Sequence, residues 1–293
     1  MAAIVAALVQ ASCCWVLPLV LATRGAARLV RCAALVCAVS VLLVLLTPLG
    51  APYSAVRPQR FMVFHTRRTL HAAPPPPGAP EPPEPPQDQV EHFYWVPELD
   101  ANTPQSVDKF VAQALGARAV SGSECARLLY CGVPYYLPVL SLIGRSHVAP
   151  APAAPLPRVH AALSLTRLND TALELDIEVS GPPHVVLIVS PAAGARVSWS
   201  SAVAAPLAGA AWGARRTYFV ALHCARGACS WRVRLQLSHA AGLAPSHWAD
   251  VSLGGHALFG AHKLQEAHGA LLAALPDWVA ATGWGVDLHL YRI

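Results

Sequence analysis

Two apolar runs in the first fifty residues constrain this chain more than anything that follows. "AAIVAALVQASCCWVLPLVLA" spans Ala2 to Ala22, and "LVRCAALVCAVSVLLVLLTPL" spans Leu29 to Leu49, broken only by Arg31. Each is close to the ~20 residues that cross about 30 Å of hydrocarbon. Neither carries the polar stripe at helical spacing that marks a helix with one wet face. A cleaved leader is disfavoured for the first run, because no basic residue precedes it and no clear cleavage context ends it. Residues 1–50 are therefore read as a two-helix transmembrane hairpin in the lipid bilayer, with Pro18 tolerated where a neighbouring helix satisfies the freed carbonyl. Cys13, Cys14, Cys32 and Cys37 lie inside the runs and read as small hydrophobes.

Charge alone leaves the orientation open. Arg24, Arg28 and Arg31 favour a cytoplasmic link between the helices, whereas Arg57, Arg60, Arg67 and Arg68 follow the second helix closely enough to count the other way. Two features favour an extracytoplasmic remainder. "NDT" at Asn169–Thr171 is an N-glycosylation sequon at a polar break between two strand-like runs. The four cysteines beyond the membrane runs form two local pairs, Cys125/Cys131 and Cys224/Cys229, which suits an oxidising compartment.

Beyond the hairpin, 51–72 reads as a juxtamembrane segment and 73–90 as a proline-rich linker or insertion. Residues 73–86 hold nine prolines and favour polyproline conformation over a packed core. A Cys-stapled connecting region follows at 91–157, where "SVDKFVAQALGA" has the spacing of a short amphipathic helix. Residues 158–293 then alternate apolar and polar. Leu173, Leu175, Ile177 and Val179 face one way, with Glu174, Asp176 and Glu178 opposite; Trp231, Val233, Leu235 and Leu237 repeat the pattern. Short strands separated by Gly, Pro and Ala clusters predict a mainly β, antiparallel sandwich-like domain with minor helices. One helix is expected within Gly260–Leu275, and a last strand at about Trp284–Arg292.

Charged residues make up 13% of the chain, against a typical share of about 25%. Lysine occurs only at Lys109 and Lys263, and the arginines are scattered, so no basic stripe exists for nucleic acid. Thirteen histidines raise a metal hypothesis. However, His-Glu-x-x-His, Cys-x-x-Cys and His-x-Asp are all missing, and pairs such as His65/His71, His239/His247 and His262/His268 do not share a helical face. They read as surface and strand-edge side chains. No Gly-x-Ser-x-Gly elbow or phosphate loop is present, and no nucleophile, base and oxyanion donor can be assembled from the linear pattern. No catalytic or metal residue is assigned.

Cys125 and Cys131 are separated by five residues, unlike a redox motif, and zinc would need two further ligands. A disulfide closing a short loop is the simplest account. "CARGAC", Cys224–Cys229, reads as a staple across a hairpin turn. By chain entropy each bond would contribute about 2–3 kcal/mol.

Three blocks in order carry a family resemblance. "RFMVFHTRRTLH" from Arg60, "CGVPYYLPV" from Cys131 with Cys125 before it, and "LPDWVAATGWGVDLHLYRI" from Leu275 resemble the C-terminal tail of the endoplasmic reticulum metallopeptidase 1 family. The proline block looks like an insertion in that pattern. The resemblance implies endoplasmic reticulum membrane residence with residues 50–293 lumenal, and an M28-type zinc peptidase domain that this chain lacks. Zinc and the catalytic glutamate would belong to that domain, so no cofactor is expected here. It further implies a supporting or substrate-binding role, with an M28-type peptidase domain as partner in cis or trans. The alternative is a stand-alone two-pass membrane glycoprotein acting as a binding or scaffold module. A chain opening directly in an apolar run favours the first expectation.

Overall fold

The computed structural model describes residues 22, 25–47, 51–72, 87–100, 102–107, 116–136, 140–202, 211–225, 229–240 and 247–293. They fall in two compact units, Met1–Pro58 and Gln59–Ile293.

In the first unit, helix α1 (Ala26–Leu46) has 21 residues, a mean hydropathy of 2.7 and no buried side chain. At 1.5 Å per residue it is long and apolar enough to cross a membrane. It begins three residues earlier than the apolar run, because Ala26 to Arg28 are good helix formers behind Gly25. It stops at Thr47, which is extended (φ −116°, ψ 161°), the conformation imposed on a residue preceding a proline, here Pro48. The first apolar run, save Ala22, lies outside the described residues, as does the proline block 73–86. One membrane-length helix is thus described, and the hairpin is not.

The second unit is mainly β. Its elements are β1 (Gln59–Leu70), β2 (Gln89–Pro97), β3 (Arg118–Ala119), α2 (Gly122–Arg127), β4 (Ser146–Pro150), β5 (His160–Asn169), β6 (Ala172–Gly181) and β7 (His184–Pro191). Then follow β8 (Ala195–Ser200), β9 (Tyr218–His223), β10 (Cys229–His239), β11 (Ala249–His256), α3 (Glu266–Ala273) and β12 (Val279–Arg292). They form an eight-stranded sheet, β3-β4-β2-β1-β12-β11-β7-β9, and a four-stranded sheet, β5-β6-β10-β8.

The two sheets pack face to face. The alternation read from the sequence sends Leu173, Leu175, Ile177 and Val179 of β6 and Val233, Leu235 and Leu237 of β10 into one core, against Val185, Leu187 and Val189 of β7 and Val251 and Leu253 of β11. β7 is buried on both faces: Val186 and Ile188 point instead into a second core with Phe64, Trp95 and Trp284. Such a strand cannot show polar alternation, which is why "HVVLIVS" is a continuous apolar run. A third core, Phe61, Val63, Tyr94 and Val96, lies beneath Leu271 of α3.

Several expectations are corrected. The four-stranded sheet is antiparallel throughout, but the larger sheet is mixed, because β12 runs parallel to β1 over Gln59↔Val279 to Leu70↔Leu290. The closing strand inserts between the first strand and β11, and alternation along a strand carries no information about its neighbours' direction. That strand is also longer than expected: Val279–Gly283 pair with β1 although small side chains hide the pattern. The helix expected within Gly260–Leu275 is confined to Glu266–Ala273. Of the helix expected at 106–117, residues 108–115 lie outside the described residues.

Candidate functional site

The segment read as juxtamembrane supplies the middle of the large sheet. Along β1 successive side chains point to opposite faces, so the adjacent Arg67 and Arg68 enter different cores, each 6% exposed. Such charges persist indoors only when paired, and each has its carboxylate.

Arg67 Nε donates to Asp287 Oδ1 at 2.7 Å. The backbone N–H of Val159 donates to the other oxygen at 2.7 Å, and His289 Nε2 lies 3.0 Å from it. The line continues through His289 Nδ1 to His71 Nε2 (2.8 Å) and from His71 Nδ1 to Asp88 (2.8 Å). Burial lowers the His71 pKa, with the Asp88 charge opposing it. This network ties β1 to β12 and to the segment entering β5; it presents no nucleophile.

Arg68 opens onto solvent-facing chemistry. Its Nη2 donates to Glu91 (2.6 Å), its Nη1 to the carbonyl of Gly132 (3.1 Å), and its guanidinium lies 5.0 Å from the centre of the Phe93 ring. It lines a cleft of about 390 Å³, whose floor is Phe93, Val133 and Val148 and whose rim is Glu91, Arg118 and Glu124. Arg118 binds Glu124 through two N–H···O contacts of 2.8 and 2.9 Å. Glu124 also closes a capping box on Ser121, and the Arg118 bond, supported by Ser121, holds its pKa down to about 2. The cleft is of a size to take a small apolar group with one or two polar contacts.

One wall of the cleft is the loop closed by the Cys125–Cys131 disulfide. Tyr130, Cys131 and Gly132 are all left-handed, with φ of 49°, 60° and 65°. For the two non-glycine residues this costs roughly 1–2 kcal/mol each. The loop is held from outside: the Tyr130 hydroxyl lies 2.5 Å from Thr217 Oγ1, and Trp212 Nε1 donates to the Cys125 carbonyl at 2.6 Å. Gly132 is required twice over, since a Cβ there would also lie 2.6 Å from Arg68 Nη1.

The second disulfide, Cys224–Cys229, is present, but it is not a staple within a hairpin. β9 lies at the edge of the large sheet and β10 inside the small one, so the bond ties one sheet to the other. Asn169, the sequon residue, is exposed at the β5–β6 turn.

The histidines are not mainly surface residues. His65, His184, His256, His268 and His289 are buried, the first, third and fourth fully. Burial, reinforced by His65, holds His268 at about 4; burial, reinforced by His223, does the same for His184; and burial drives His256 well below the ordinary range. They pack as neutral aromatic rings: His65 with Tyr94, and His256 and His184 with Tyr136. Among the described residues no group of three or more His, Cys, Asp or Glu side chains is placed to hold a metal ion. Glu91 and Arg118 escaped the sequence reading, and Arg68 entered it only as a charge following the second apolar run. Only the Ser-x-x-Glu spacing at Ser121–Glu124 offered a signal, as a capping box.

The fold and the cleft together define a class: a two-sheet β domain that follows a helix of membrane-spanning length. A profile described as "Endoplasmic reticulum metallopeptidase 1, C-terminal domain" matches residues 56–291, and the chain belongs to that family. Endoplasmic reticulum metallopeptidase 1 of Rattus norvegicus is 26% identical over 265 residues, covering 88% of this chain and 27% of the relative. The proteins of the same name from Mus musculus and Homo sapiens are each 26% identical over 267 residues, with the same coverage. The chain therefore spans about a quarter of the length of these relatives.

Proposed function

We propose that this chain is the membrane-anchored, lumenal, non-catalytic portion of an endoplasmic reticulum metallopeptidase. On this reading its β domain supports an M28-type peptidase domain, in cis or in trans, or holds substrates for it. On this reading zinc would reside in that peptidase domain. The observation that carries the proposal is the family match over residues 56–291, directly after a helix of membrane-spanning length.

The proposed topology has both apolar runs crossing the endoplasmic reticulum membrane and residues 50–293 in the lumen. The fold removes part of the contrary charge argument. Arg67 and Arg68 are internal ion-pair partners of a folded sheet, which leaves Arg57 and Arg60 as the solvent-facing arginines after α1. The cleft beside Arg68 is the surface we assign to the peptidase domain or its substrate.

An immunoblot of native tissue with an antibody against residues 240–293 tests the reading. After deglycosylation, a band several times larger than the chain's 30.9 kDa supports a tail continuous with a peptidase. A band near 30.9 kDa removes the cis arrangement. Co-precipitation of an M28-type peptidase then separates a partner in trans from the stand-alone two-pass glycoprotein.

A further inference from the structure

We propose that Asn169 carries an N-linked glycan whose structural task is to guard β5, the longest edge strand among the described residues. This rests on the lumenal placement proposed above.

The described sheets end in four edge strands, and edges invite pairing with other chains unless they are blunted. β3 is two residues long. β9 is short and tied at its end by the Cys224–Cys229 disulfide. β8 has six residues and a register shift where it meets β10. β5 differs in length and composition: it has ten residues, "HAALSLTRLN", with no proline, lysine or carboxylate, a single arginine near its end, and a register shift against β6 only at that end, between Arg167 and Asn169. Its neighbour β6 takes one side, and among the described residues no strand pairs with its other side. It also overhangs the core. Leu165, which follows Ala161 and Leu163 on the core-facing side, is 45% exposed, and Leu168 is 48% exposed. An exposed strand whose only full charge, Arg167, stands near its end, with Leu165 and Leu168 open to solvent, is an aggregation hazard.

The sequon stands at the end of that strand. Asn169 Oδ1 accepts from the Thr171 backbone N–H (2.9 Å) and the Thr171 hydroxyl (3.0 Å). The oxygen is thereby turned into the hairpin, and Nδ2 is the arm left toward solvent. In the modification, Nδ2 attacks the anomeric carbon of an oligosaccharide carried on a lipid pyrophosphate. The carbon–oxygen bond to the pyrophosphate breaks, a carbon–nitrogen bond forms, and one amide proton is lost. The bulky, polar product stands one residue from Leu168 and four from Leu165.

The full chain, expressed in mammalian cells, tests both halves. A reporter sequon made by Ala193→Asn with Ala195→Thr, at the exposed β7–β8 turn, reads topology independently. Wild type should show one endoglycosidase-sensitive step, abolished in Asn169→Gln and Thr171→Ala and retained in Thr171→Ser. In detergent, Asn169→Gln should shift from monomer to dimer and larger species, and Asn169→Gln with Leu165→Glu should return to monomer. A modified reporter with unmodified Asn169 would overturn the glycan while leaving the lumenal reading intact. If neither is modified, the lumenal placement fails and the proposal with it. A glycosylated wild type beside a monomeric Asn169→Gln would overturn the guarding role.

Discussion

Arg67 and Arg68 show what a single step along a strand does: the first reaches Asp287 through one face of β1, the second reaches Glu91 through the other. Asp287 is fully buried and accepts from a guanidinium and a backbone N–H. Removing it leaves Arg67 charged and unpaired, a change that typically costs about 3–5 kcal/mol. Asp287→Ala should therefore lower the urea midpoint of the detergent-solubilised chain, read by tryptophan fluorescence, far more than an exposed Asp170→Ala. The buried histidines predict the response to acid. The folded pKa values of His65, His184, His256 and His268 lie below the ordinary 6.5, at about 4 for His184 and His268. Above pH 6.5 both folded and unfolded forms are neutral, and stability is unaffected. Between pH 6.5 and about 4 the unfolded chain takes protons that the folded one refuses, so each such group removes up to about 1.4 kcal/mol per pH unit. Thermal unfolding should drop steeply across that window, and His184→Phe should flatten the slope; a pH-independent midpoint would contradict the burial.

At the level of elements, the parallel pairing of β12 with β1 depends on a missing side chain. A Cβ at Gly283 would stand 2.2 Å from the Val63 carbonyl oxygen and 2.8 Å from His268 Nε2, so alanine there must push β12 off β1 and lift α3. Gly283→Ala should destabilise by at least about 1–3 kcal/mol. Gly269→Ala, on α3 with nothing within 4 Å of the added carbon, should instead stabilise by about 0.5–1 kcal/mol. Paired denaturation curves check both signs. The elements also show where sequence reading reaches its limit. The faces of β6 and β10 were legible because each has one wet side. β1 was not, because "HTRR" looks solvated until the partners that bury it are known. The Arg68 cleft was illegible for the same reason, being built from β1, β2, β4 and the Cys125–Cys131 loop.

For the whole molecule, α1 predicts behaviour as well as shape. The full chain should remain in the membrane pellet after alkaline carbonate extraction. Val36→Arg, at the centre of α1, should weaken insertion by about 2.5–3.5 kcal/mol, raising the extractable fraction. The family match and the β sandwich follow that helix in one chain. What the sequence determined unaided are the properties carried by near neighbours: a helix apolar all round, strands with one wet face, and cysteines close enough to close short loops. The tertiary structure alone decided which strands pair, that the last strand runs beside the first, that Cys224–Cys229 joins two sheets, and that the "HTRR" of β1 lies inside. Period-two alternation states which side of a strand is dry and nothing about its neighbour. The charge that makes Arg67 tolerable indoors lies 220 residues away, where only the folded chain brings it within reach.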